Sequence, residues 1–200
     1  MGRRSQLAVV AATVACFSSA AQSATGEDLR LALVRALGLV DAQRDSLDGV
    51  ARAYYGPGGK FPELKDCLAS KATDDRLASD LAAVVKPHVA TDESVRSALQ
   101  FLESPAGKKL AVAVGRRHRI GTDLLLSRWS IKFAGAVAMP RTELTLEEEQ
   151  EIRQFLSSDA GKPVARILSD TTGLTQFSRA LKQMYGFAAE CGIDLKAPPR

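Results

Sequence analysis

The residues with chemistry to offer are few. Beyond the first 24 positions the 200-residue chain carries two cysteines, Cys67 and Cys191, and two histidines, His88 and His118. An even pair of cysteines fits a disulfide in an oxidising compartment. Such a bridge would tie the early helices to the end of the chain and add about 4–5 kcal/mol in the chain-entropy model. Two buried free thiols are the alternative, since sequence carries no Cα separation. A catalytic thiol at Cys67 would need His88 or His118 beside it, and no local motif supplies that. Two histidines exclude a histidine-rich metal site, and the chain has no HExxH, no GxSxG and no ligand cluster at metal spacing.

Gly59-Lys60, Gly107-Lys108 and Gly161-Lys162 invite a phosphate-loop reading, and it fails at each. Tyr54, Leu102 and Leu156 stand where GxxxxGK[ST] needs its first Gly, and Phe61, Lys109 and Pro163 replace the Ser/Thr. Asp74-Asp75 and Glu147–Glu149 sit where helices should start, so dipole stabilisation explains these carboxylates without acid–base work. No catalytic residue, metal ligand or cofactor site is therefore expected.

One feature could bind something. Lys108, Lys109, Arg116, Arg117, His118 and Arg119, joined later by Arg128 and Lys132, face only Asp123 in opposition. Such a surface could meet anionic lipid headgroups, lipopolysaccharide phosphates or an acidic envelope protein. The competing reading is a solvated helix face with snorkelling side chains, since the charges spread around the axis. Trp129, Ile131 and Phe133 lie among them and suit a core, or the wall of a ligand groove.

The start of the chain reads as an export signal over residues 1–24. Arg3 and Arg4 give a basic end, Leu7–Ala15 an apolar run, and SSAAQSA small residues for cleavage after Ala21, Ser23 or Ala24. The run is too short to persist as a transmembrane helix. Arg3-Arg4 half-matches a twin-arginine signal, without its usual aromatic. Thr13-Val14-Ala15-Cys16 half-matches a lipoprotein box, which would anchor the protein by lipid at Cys16. Losing Arg3 and Arg4 lowers the formal charge of +4 by two. That small excess argues against nucleic acid as a partner. Periplasmic location follows as the expectation, with a single helical domain over 25–195 and a frayed tail over 196–200.

The elements that must position these residues are helical. Gln100–Leu110, QFLESPAGKKL, is echoed at Gln154–Val164 as QFLSSDAGKPV, and the likeness extends over about 91–114 and 145–168. A regular echo of this kind signals one supersecondary unit used twice. Thr91 and Thr145 take N-cap positions, and Thr145 with Glu148 spells a capping box. Ala98, Phe101 and Leu102, or Ile152, Phe155 and Leu156, then form one buried stripe. Ser104-Pro105 stops the first helix and starts another, with Pro at N1 behind a Ser cap. In the second copy Asp159 replaces Pro105 and Pro163 follows, so a kinked or delayed helix is expected. Gly107 and Gly161 suit close packing near the Phe.

Elsewhere the periodicity predicts helices over 27–39, from Asp41 or Asp45 to Tyr54, over 61–71 from Pro62, from Thr73 or Asp74 to Pro87, over 105–137, and over 171–190. Gly38 reads as a frayed end and Gly56-Pro57-Gly58-Gly59 as a loop. No period-2 run of β-branched residues occurs. The expected fold is all-α, a helical bundle with an internally duplicated helix–SerPro–helix unit.

The Thr-x-Glu helix start, aromatic, Ser-Pro and Gly-Lys of Thr91–Leu110 resemble the bacterial family catalogued as domain of unknown function 2059. Leu29–Leu39 is similar to that family's leading helix. Members commonly carry Phe-Tyr before the Ser-Pro, where this chain has Phe101-Leu102-Glu103. The resemblance implies an exported, all-helical protein of unknown activity, with no catalytic residue to carry over. Together these readings predict a non-enzymatic periplasmic binding or protein-interaction module. The alternative is an envelope hydrolase or redox enzyme with a site assembled from scattered residues.

Overall fold

The computed structural model describes residues 25–89, 91–114, 144–170 and 174–195. The leader with Cys16, the residues Arg116, Arg117, His118, Arg119, Arg128, Trp129 and Lys132, and the tail 196–200 lie outside the described residues. The chain is all-α, and among the described residues there is no strand. Its helices are α1 (Gly26–Ala36), α2 (Leu39–Tyr55), α3 (Leu64–Lys71), α4 (Asp74–Val85), α5 (Asp92–Leu102), α6 (helical over 105–114), α7 (Leu146–Ser157), α8 (Gly161–Asp170) and α9 (Leu174–Glu190).

α1 opens on a full capping box. Thr25 Oγ1 accepts from the Asp28 N–H at 3.3 Å, and Asp28 Oδ2 accepts from the Thr25 N–H at 3.0 Å. Leu29, Leu33 and Val34 then enter the core on the faces turned to α4 and α5. α2 does not start at an Asp41 or Asp45 cap. It begins at Leu39 behind Gly38, whose φ of 66° is left-handed and has no side-chain cap. Leu37, Leu39 and Val40 are all buried, so the chain must turn inside the core, where a glycine can take this conformation without a Cβ clash. Gly38 is therefore a tight joint, and the helix before it is not frayed.

α3 starts two residues after the expected Pro62. Pro62 and Glu63 form a turn in which the Leu64 N–H donates to Phe61 O at 3.1 Å and the Lys65 N–H to Pro62 O at 3.3 Å. Thr73 caps α4, accepting from the Arg76 N–H at 3.4 Å. α4 ends at Val85, and Pro87 sits within a 3-10 turn, Lys86–His88.

The α5–α6 and α7–α8 stretches share their local geometry. Thr91 and Thr145 cap α5 and α7, and the box of Thr145 with Glu148 is complete. Ser104 Oγ accepts from the Gly107 N–H at 3.0 Å, and Ser158 Oγ from the Gly161 N–H at 3.1 Å. Both glycines press on the end of the preceding helix. A Cβ on Gly107 would lie 2.1 Å from Phe101 O, and one on Gly161 1.8 Å from Phe155 O. α8 begins at Gly161, two residues later than the register of α6 requires, as the loss of Pro105's counterpart suggests. Pro163 falls in its first turn, where an N–H has no helical acceptor, so the proline costs no hydrogen bond.

Packing follows the apolar stripes. α2 lies along α9, α1 against α4 and α5, α3 against α9 and α2, and α8 against α5 and α7. Phe177, Ala180, Met184, Phe187 and Ala188 of α9 join one continuous core with Leu47, Val50, Leu64, Leu77 and Leu81. Tyr185 of α9 stays 41% exposed.

Candidate functional site

Cys67 and Cys191 form a disulfide, with an S–S distance of 2.07 Å and a Cα–Cα distance of 6.2 Å. Cys67 is buried in α3, and Cys191 is the first residue past α9. The bridge joins α3 to the far end of the chain, as the cysteine count implied. It also overturns the catalytic-thiol reading, because a sulfur bonded to sulfur has no thiolate to offer. Beside it Arg76 donates to both oxygens of Glu190, at 2.8 Å on one arm, and its guanidinium lies 4.6 Å from the centre of the Phe187 ring. The Arg76 hydrogen bond holds the Glu190 carboxyl below its ordinary range.

The expected basic surface is only partly within view. Lys108 is exposed on α6. Lys109, one residue on, turns onto α7 and its Nζ donates to Glu148 Oε2 at 2.6 Å. The Glu148 carboxyl is held low, first by this bond and then by the Thr145 N–H of the capping box. Its charge is thus spent inside the protein and not on an external anion. Arg116, Arg117 and Arg119 lie outside the described residues. Lys162 is likewise engaged, with Asp159 at 2.8 Å.

Two polar clusters were not anticipated. At the α2–α9 contact, Gln43 Nε2 donates to Gln183 Oε1 at 2.8 Å, and Gln183 Nε2 to Asp80 Oδ2 at 2.8 Å. Gln176 Nε2 donates to Ala42 O at 3.2 Å and to the buried Ser46 hydroxyl. These amides answer one another and fix the register of α2 on α9, since burying them unpaired would cost about 1–3 kcal/mol each. Gln43 and Ser46 one helical turn apart on an apolar face were the available signal.

The second cluster is aromatic. The Tyr54 and Tyr185 hydroxyls meet at 2.9 Å with the rings edge to face, and Phe61 flanks Tyr54. Burial, then the Tyr185 bond, pushes the Tyr54 phenol up. Tyr55 bonds Asp48, and burial followed by that bond raises its phenol to about 12. Phenols held protonated in this way are hydrogen-bond donors at neutral pH and not nucleophiles.

The cleft between α1, α5 and α8 bears on the ligand-groove reading. Leu33, Val95, Ala98, Pro163 and Val164 meet there without space for a water molecule, so this contact is closed by the protein's own side chains. Phe101 of α5 and Phe155 of α7 stack with ring centres 3.8 Å apart and planes 8° from parallel. Among the described residues no three His, Cys, Asp or Glu side chains gather to hold a metal ion, and no helix is long and apolar enough to cross a membrane. In comparisons with known proteins, no family, no curated sequence and no solved structure matches this chain.

Proposed function

We propose that the chain is an exported, disulfide-locked interaction module of the bacterial cell envelope, working without catalysis of its own. The observation that carries this reading is the Cys67–Cys191 bridge, which persists only where thiols are kept oxidised. The leader-like residues 1–24, with Arg3 and Arg4 ahead of an apolar run, agree with it. Lys108 with Arg116, Arg117 and Arg119 supplies the surface, and its partner is an acidic envelope protein or an anionic lipid headgroup. The resemblance of Thr91–Leu110 to domain of unknown function 2059 points the same way.

The test is the native mass of the protein recovered from its host's envelope at low salt. The expected species is the processed, oxidised chain carrying a retained partner that high salt strips off, as a charge-held contact requires. Recovery from the cytoplasm with Cys67 and Cys191 both open to alkylation would end the proposal. A bare monomer at every salt concentration would remove the partner surface from it.

A further inference from the structure

The α5–α6 and α7–α8 stretches do more than share a local shape. Phe101 and Phe155 hold the same place in each, and they stack on one another. A residue that touches its own counterpart marks the axis of an isologous, two-fold contact. Such an axis makes a further demand: if Lys109 meets Glu148, their counterparts Pro163 and Ser94 must also meet. Ser94 and Pro163 both line the closed cleft where α5 packs on α8, as that relation requires of them.

We infer that each helix–turn–helix unit is a pairing module whose face fits another unit of its own kind, the two being joined here about a two-fold axis through the Phe101–Phe155 stack. The partner that fits either face is therefore a second copy of this chain. What directs unit one to unit two is the asymmetric ion pair. In a pairing of two first units, Lys109 would face Ser94 of the other copy. In a pairing of two second units, Glu148 would face Pro163. Neither offers a counter-charge, so only the internal match satisfies Lys109 and Glu148 together. This holds whether or not the protein is exported.

The test reverses that preference in the full chain. Lys109→Glu sets two carboxylates against each other in the internal contact, while leaving first-unit and second-unit self-pairing without a clash. Glu148→Lys does the same with two ammonium groups. Each single variant should dimerise with a Kd at least about tenfold below that of the parent in sedimentation velocity, because like charges juxtaposed at an interface oppose it strongly. The double variant should return to the parent's behaviour, and high salt should narrow the difference.

Phe101→Cys provides a geometric readout. On the Lys109→Glu background two copies should become linked through position 101, and on the parent background they should not. Folded single variants that stay monomeric would overturn the inference, as would a double variant that dimerises like the singles. Loss of helical signal in both singles also counts against it, since self-pairing was open to them.

Discussion

Cys67, midway along α3, is bonded to Cys191, the first residue beyond α9, across a sequence separation of 124. Closing so long a loop restricts the unfolded chain more than the folded one. Cys191→Ser should therefore cost the folded protein about 4–5 kcal/mol. For a chain of this size that lowers the thermal midpoint by about 10 °C or more, and a reductant should reproduce the shift. Thermal unfolding followed by circular dichroism, with and without reductant, gives the comparison.

Gly161→Ala should cost about 2–3 kcal/mol, because its Cβ would be driven into the Phe155 carbonyl and the backbone would have to move. Gly107→Ala should behave alike against Phe101. Gly186 in α9 is the contrast, with open space where its Cβ would stand. Alanine there should stabilise by about 0.5–1 kcal/mol through helix propensity and a less free unfolded chain. Urea midpoints at constant slope separate the two outcomes.

Acid should act first on the hydrogen-bonded carboxylates. Glu148, Asp28, Asp159 and Glu190 all lie below their ordinary values in the folded chain, held by Lys109, Thr25, Lys162 and Arg76 respectively. A carboxylate with a depressed folded pKa stabilises above its unfolded value and loses that contribution as pH falls through the folded one. Stability should accordingly decline from about pH 4.5 downward, and Glu148→Gln should flatten the early part of the decline. Urea unfolding at stepped pH is the measurement.

Alkali gives the opposite sign. The Tyr55 phenol rises from 10.0 to about 12 on folding. Its contribution is complete below pH 10 and drains away as pH climbs toward 12, because the unfolded phenol ionises first. Phenolate absorbance should show two late-titrating tyrosines, Tyr54 and Tyr55, of which Tyr55→Phe leaves one. A titration of Tyr55 at the ordinary value would disprove both its burial and the Asp48 contact.

Local devices were legible in the sequence and long-range ones were not. The caps at Thr91, Ser104 and Thr145 depend on hydrogen bonds to residues three positions on, and each forms as its spacing predicts. The Cys67–Cys191 pairing needed only a count of two. Gly38 was misread because its conformation answers to the burial of Leu37, Leu39 and Val40 together, a tertiary demand that a helix-end signal does not carry. Lys109 looked like part of a basic surface because the run around it is basic. Its partner Glu148 arrives from a helix far along the chain, and only the fold brings α7 to α6. The Tyr54–Tyr185 contact escaped notice for the same reason, its two rings belonging to α2 and α9.

The bridge has one more effect, on cleavage and not on folding. By linking position 67 to position 191 it turns the chain between them into a covalent ring, and α4 to α9 lie on that ring. A protease that nicks any single bond inside it opens the ring without freeing a fragment. Degradation of the oxidised protein therefore needs a second cut or prior reduction, and a nicked molecule keeps its mass, gaining only one water.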